Sequence, residues 1–192
     1  GSRWRRHLHY HVPVREPDFW KQEKVLRTLR DTLEFLSDDF YAFDFYPGKG
    51  APQMQEYLTY DKTTTGLQAP EMLMMFSGGR DSLGGAVREI VQNKQHVALV
   101  NHQSTDKFGR TYEELITRLR GRCAMFQPTH LRVEINKKGI EAKDHYQRAR
   151  SFLYAALGGT VARMLGLREL RFYENGVLSL NLPICGQLVG AR

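Results

Sequence analysis

Met72-Leu73-Met74-Met75-Phe76 is an unbroken apolar run that passes directly into Ser77-Gly78-Gly79-Arg80-Asp81-Ser82 and then into helical spacing. A strand with no polar alternation must be covered on both faces. Such strands belong to parallel sheets whose crossovers lay helices on both sides, so this one segment commits the chain to an α/β architecture. The sequence downstream agrees. Ser82 to Asn93 reads as a helix, His96 to Val100 as a second apolar strand, and Tyr112, Leu115, Ile116 and Leu119 as the apolar stripe of an amphipathic helix. Leu131, Val133 and Ile135 alternate as a third strand. Leu153, Ala156, Leu157, Thr160, Val161, Met164 and Leu165 then recur at helical spacing. Gly158-Gly159 inside that helix costs about 1 kcal/mol per glycine relative to alanine, which predicts close packing against the sheet. Gly166 ends the helix, and Glu169 to Tyr173 is read as a fourth strand.

The first part of the chain has a different character. Leu8, Tyr10, Val12 and Val14 alternate with polar residues as in a half-buried strand, and Pro17-Asp18 opens a helix carrying Val25, Leu26, Leu29, Leu33 and Leu36. Tyr41, Phe43 and Phe45 alternate up to Pro47-Gly48, and Met54, Glu56, Leu58 and Tyr60 alternate after it, which reads as a hairpin. Asp61 to Pro70, with three consecutive threonines and a glycine, is the expected connection. The expected organisation is therefore a small α+β region over residues 1–68 and an α/β domain over residues 69–192.

Composition narrows the class. The 192 residues are 41% hydrophobic and 26% charged, as in ordinary globular proteins, and no apolar stretch approaches membrane-spanning length. Cys123 and Cys185, the only cysteines, form no CxxC pair, and a reducing cytoplasmic setting with structural thiols is expected. The formal charge of +7 permits nucleic-acid binding without requiring it, because the basic residues are dispersed; an anionic small substrate would also favour such a field. Residues 185–192 carry no capping element, so the chain is expected to continue beyond Arg192.

The chemistry lies between the first core strand and its helix. A helix start offers unpaired N–H groups and the positive end of a dipole, which together favour an anion. Gly78 and Gly79 let the backbone turn tightly and approach that anion without an intervening side chain. The hydroxyls of Ser77 and Ser82 can donate to phosphate oxygens, and Ser82 is also a candidate helix cap. Asp81 repels phosphate unless it meets Mg²⁺ or pins the loop. No G-x-x-x-x-G-K-[ST] sequence occurs, which excludes a Walker A loop, and there is no Rossmann fingerprint.

Ser77-Gly78-Gly79-Arg80-Asp81-Ser82 resembles the SGGxDS signature of the PP-loop ATP pyrophosphatases. Arg148-Ala149-Arg150-Ser151-Phe152-Leu153 resembles the arginine-bearing helix start of the QueC-like synthases, which make 7-cyano-7-deazaguanine from the 7-carboxy compound. With the opening His11-Val12-Pro13-Val14-Arg15-Glu16-Pro17-Asp18-Phe19-Trp20 and the segment Tyr173-Glu174-Asn175-Gly176-Val177-Leu178-Ser179-Leu180-Asn181-Leu182-Pro183, the chain is most similar to the QatC-type proteins of bacterial anti-phage systems. The resemblance implies an adenine nucleotide alpha hydrolase-like fold and ATP with Mg²⁺ as cofactors. It implies adenylation of a deazaguanine-type carboxylate with pyrophosphate release, then amide or nitrile formation or transfer to an amine of a partner protein in the same defence system. By the same resemblance ATP is held by Ser77, Gly78, Gly79, Arg80, Asp81 and Ser82, with Asn101 and His102 near the adenine. Ser77, Asp81, Ser82 and Arg150 are the expected catalytic residues, and Arg148, Arg150, Ser151, Glu174 and Asn175 the expected substrate contacts. Two arginines at a helix start oppose the local dipole, which a bound anion would relieve. The chain departs from the family in its final segment, and because only Cys185 lies near this end the family's four-cysteine zinc site is either absent or beyond Arg192.

Other readings compete. A PP-loop tRNA-modifying enzyme of the thiolation type would need a reactive cysteine. A non-catalytic ATP-binding subunit of a defence complex would keep the loop without turnover, and an RNA-binding module would show steep salt dependence. His7, His9 and His11 form H-x-H-x-H on one strand face, but no acidic or cysteine ligand accompanies them in sequence, so Zn²⁺ is not expected from the sequence alone. The aromatic cluster Phe40 to Tyr46 fits packing better than base stacking.

Overall fold

A computed structural model describes residues 5–49, 69–103, 109–123, 125–135 and 150–174. The chain divides into two compact units, Gly1–Gln55 with Asp144–Phe152 and Leu180–Arg192, and Glu56–Lys143 with Leu153–Ser179.

In the first unit, β1 (His7–Val14) is followed by a short helix α1 (Pro17–Trp20), a longer α2 (Glu23–Ser37) and β2 (Phe40–Pro47). Strands β1 and β2 pair in parallel from His7 opposite Phe40 to Val14 opposite Pro47. A parallel pair cannot be closed by a tight turn, and the two helices supply the crossover. The second strand of the expected hairpin, residues 54–60, lies outside the described residues. Tyr10, Tyr41, Phe43 and Phe45 stack along one face with ring centroids 5.7–6.1 Å apart, and Trp20 closes the row against Phe45. Phe45 is the buried member of this row, and Tyr10 is exposed. Asp39 is buried at the start of β2, where Arg6 gives it both a backbone N–H (2.9 Å) and guanidinium hydrogen bonds.

The second unit is a four-stranded parallel sheet in the order β5-β4-β3-β6, with β3 Met72–Met75, β4 Val97–Gln103, β5 Thr129–Glu134 and β6 Leu170–Arg171. The α/β parallel architecture read from the sequence is the one observed. Its helices are α3 (Arg80–Ala86) with a π-helical continuation (Val87–Gln92), α4 (Gly109–Arg122) and α5 (Arg150–Met164). The first three residues of α5 are grouped with the first unit.

Side chains of the buried strands alternate between two cores. Met72, Met74, Phe76, Val97 and Leu99 meet Ala86, Ile90, Ile116 and Leu119 on one face. Leu73, Met75, Ala98 and Val100 meet Ala162, with Tyr154, Val161 and Leu165, on the other. Helices α3 and α4 therefore cover one face and α5 the opposite one. The chain steps from β3 to β4 to β5 along one direction, then returns to β6 on the other side of β3. Between β3 and β6 the strand order reverses, and in open α/β sheets ligands bind at the carboxyl ends of the strands at this point.

Some boundaries differ from those read in the sequence. The helix after the loop begins at Arg80 rather than Ser82, because Gly79 in extended backbone already serves as its N-cap. The second strand runs on through Asn101, His102 and Gln103, since β5 continues to pair with it as far as Glu134. The fourth strand is only two residues long, because β6 pairs with β3 only at Leu73 and Met74.

The paired glycines of α5 are not equivalent. A Cβ on Gly158 would lie 2.9 Å from Leu170 and 3.0 Å from the Met75 sulfur, whereas one on Gly159 would meet nothing within 4 Å. Gly158 is the close approach to the sheet that the sequence predicts, and Gly159 only weakens the helix. Gly159→Ala should raise the stability of the fold by about 1 kcal/mol in urea titration; Gly158→Ala should gain less or lose stability, because Leu170 and Met75 must move.

Candidate functional site at the switch point

The loop leaving β3 is shaped by Gly78, whose φ of +71° is left-handed. A side chain there would be strained by its backbone, and its Cβ would lie 2.9 Å from the ring of Tyr112. Tyr112, on the first turns of α4, lies over the loop and donates a hydrogen bond from its hydroxyl to the Ser77 carbonyl oxygen (3.0 Å). Sequence reading placed Tyr112 only on an apolar stripe; its hold on the loop had no local signal.

Ser77 is exposed and its Oγ lies 3.0 Å from Ser82 Oγ, while Ser82 Oγ donates to the Gly79 carbonyl oxygen (3.1 Å). Ser82 is buried within the first turn of α3, so it is not the helix cap; that position belongs to Gly79, which has no side chain to offer. The first turn of α3 thus has no side-chain cap. Arg80 and Asp81 are exposed on the same turn.

Asn101 and His102 extend from the adjacent strand β4. Asn101 is buried, and its Oδ1 accepts from His130 Nε2 across the sheet at 2.8 Å. Burial, then the charges of Arg120 and Arg132, push the His130 imidazole below its ordinary range, so it is neutral near pH 7 and carries one proton to share with that amide. Asn101 Nδ2 and His102 Nε2 are buried and have no hydrogen-bond partner among the described residues. Turning the Asn101 amide over exchanges its ends and still leaves one of them unpaired. Buried polar atoms without partners are uncommon, and here they lie at the carboxyl end of a strand neighbouring the loop.

On the other side of β3, the chain leaving β6 is fixed by a buried carboxylate that sequence reading missed. Glu89, in the π-helical stretch, is 1% exposed and accepts hydrogen bonds from the Tyr173 hydroxyl and from Asn93 Nδ2 (2.8 Å), and Arg171 lies 2.8 Å away. A carboxylate among apolar helix residues was the available signal. Burial alone would push this carboxyl up, but the hydrogen bonds from Tyr173 and Asn93 and the Arg171 charge outweigh it and hold it below the ordinary 4.5. Burial, and then the bond to Glu89, push the Tyr173 phenol up. The Tyr173 ring packs against Gly85, where any Cβ would collide with it. Glu174 follows, exposed.

The structure thus brings the loop residues Ser77 to Ser82, Asn101, His102 and Glu174 to one edge of one sheet. Arg150 and Ser151 occupy the first turn of α5 and are grouped with the other unit. Arg148, Asn175 and Cys185 lie outside the described residues. Cys123 is half-buried with its thiol toward the Ile90 carbonyl oxygen (3.7 Å). No helix among the described residues is long and apolar enough to cross a membrane. Comparison with family models, with curated proteins and with solved structures gave no significant match.

Two outcomes follow from this geometry. Gly78→Ala should cost about 1–2 kcal/mol in chemical denaturation, from the left-handed backbone alone. Glu89 binds its proton less readily folded than unfolded, so its contribution is complete above about pH 5 and is lost as the pH falls through the depressed folded value. Glu89→Gln should therefore lower stability near neutral pH and flatten the acid limb of the stability profile, read by urea midpoints at successive pH values.

Proposed function

We propose that this chain binds ATP on the Ser77–Ser82 loop and adenylates a small carboxylate substrate, releasing pyrophosphate, in the manner of the PP-loop enzymes its loop resembles. The observation that carries the reading is the position of that loop: a left-handed glycine and an uncapped helix start at the point where the strand order reverses. The residues present suit the two ends of the nucleotide. N–H groups of the loop and the Ser77 hydroxyl would bind the β and γ phosphates. Asn101 and His102, at the carboxyl end of β4, would lie near the adenine, as the resemblance implies.

Mg²⁺ would accompany the phosphates and neutralise part of their charge. Asp81 is exposed on the first turn and would supply an oxygen ligand of the kind Mg²⁺ takes, in keeping with that ion's habit of keeping mostly phosphate and water around it. In the first half-reaction a carboxylate oxygen forms a bond to the α-phosphorus and the α–β bridging bond breaks, giving an acyl-adenylate and pyrophosphate. In the second, an ammonia or amine nitrogen bonds to the acyl carbon, the bond from that carbon to the AMP oxygen breaks, AMP leaves, and the nitrogen gives up one proton to solvent. The chain's part is positioning and charge stabilisation. The substrate most in keeping with the sequence resemblance is a 7-deazaguanine carboxylate, with a bacterial anti-phage system as its setting.

Pyrophosphate release from ATP should depend on added 7-carboxy-7-deazaguanine and fall at least tenfold in Asp81→Ala. Release that ignores the carboxylate, or that survives Asp81→Ala unchanged, would overturn the assignment. ATP binding without any release would make the chain a nucleotide-binding subunit instead.

A further inference from the structure

The exposed face of the β1–β2 ladder carries a second cluster of groups, unrelated to the loop. His9 and His11 are two residues apart on β1 and project to the same side; Asp44 on β2 is the register partner of His11. His9 Nε2 lies 2.8 Å and His11 Nδ1 3.1 Å from the same Asp44 oxygen, Oδ2. The two imidazoles face each other with ring centroids 4.5 Å apart. His7, on the same face, stacks on Phe40 at 4.7 Å and does not join them. The carboxylate that the histidine pattern lacks in sequence is thus supplied by the neighbouring strand, 33 residues further along the chain.

We propose that His9, His11 and Asp44 form a binding site for one divalent transition-metal ion of the zinc class, with at least one coordination position open to water or a ligand. The ligand set is two imidazole nitrogens and one carboxylate oxygen, which suits zinc, nickel or copper and not magnesium or calcium. The spacing suits it too. Ligands about 2.0–2.1 Å from a tetrahedral ion sit roughly 3.3 Å from one another. The observed 2.8 and 3.1 Å to the carboxylate oxygen need to open by a few tenths of an ångström to admit the ion, and the two imidazole nitrogens can reach the same spacing by side-chain rotation. All three ligand atoms lie within 4.8 Å of one another. Their Cα positions are fixed by alternate rungs of a parallel ladder, so little backbone ordering is required on binding. Each of the three side chains is more than half exposed, which leaves the outer coordination positions facing solvent. Without a metal, one carboxylate oxygen satisfies two neighbouring, mutually tilted imidazoles; with it, all three present lone pairs to a single charge.

The test is calorimetric titration of chelator-treated protein with Zn²⁺, with Co²⁺ as a spectroscopic probe. One equivalent of Zn²⁺ per chain is expected, with Co²⁺ giving the visible absorption of a low-coordinate nitrogen and oxygen site. Asp44→Ala and His9→Gln should each weaken binding at least tenfold, and His7→Gln should leave it unchanged. All three positions are exposed, and an unaltered circular dichroism spectrum will show that each variant folds. The proposal is overturned by the absence of a saturable equivalent, or by an equivalent that persists in the His9→Gln, His11→Gln double variant. Neither result bears on the phosphate loop.

Discussion

Strand β3 has no free side. Its side chains feed two cores in alternation, its two edges are taken by β4 and β6, and every residue from Met72 to Phe76 is buried. A strand so enclosed can offer chemistry only where it ends. The constraint then passes to the turn that follows, which must reverse into a helix on one face while Tyr112 lies across it. Gly78 meets both demands, and no residue with a side chain meets either without strain. Much of what can be said about ligands follows from that sequence of necessities.

Two tyrosines divide the work of holding the crevice. Tyr112 fixes the loop through the Ser77 carbonyl oxygen, and Tyr173 fixes the exit of β6 by lying on Gly85 and donating to Glu89. Each stands against a glycine, so the small residues serve as seats for large ones as well as turns. Glu89 reaches its partners from a π-helical stretch, where the altered winding carries a carboxylate inward. Single π turns of this kind are often found near functional sites.

The core was legible because its signals are local. An uninterrupted apolar run means a doubly covered strand, and helical spacing from Leu153 to Leu165 means a helix packed on it. The loop was legible for the same reason, being six consecutive residues. What escaped depends on pairings between distant positions. Nothing near Tyr112 in sequence indicates Ser77, nothing near Glu89 indicates Tyr173, and nothing near His9 indicates Asp44. The capping role given to Ser82 failed for a subtler reason: the helix starts two residues earlier than polar composition implies, so the serine falls inside the turn. The parallel pairing of β1 with β2 was likewise hidden, since alternation reports which face is buried and not which way the neighbour runs.

The register of β6 against β3 joins residues about a hundred positions apart in the chain, Leu73 with Leu170 and Met74 with Arg171. Loop closure over that span is repaid only once the intervening strands and helices are in place. The crevice between these two strand ends is therefore a property of the finished unit and of no smaller piece. A molecule gripped there would draw its affinity from the whole sheet. Its occupancy would accordingly slow or oppose unfolding everywhere in the unit at once, rather than tighten one loop.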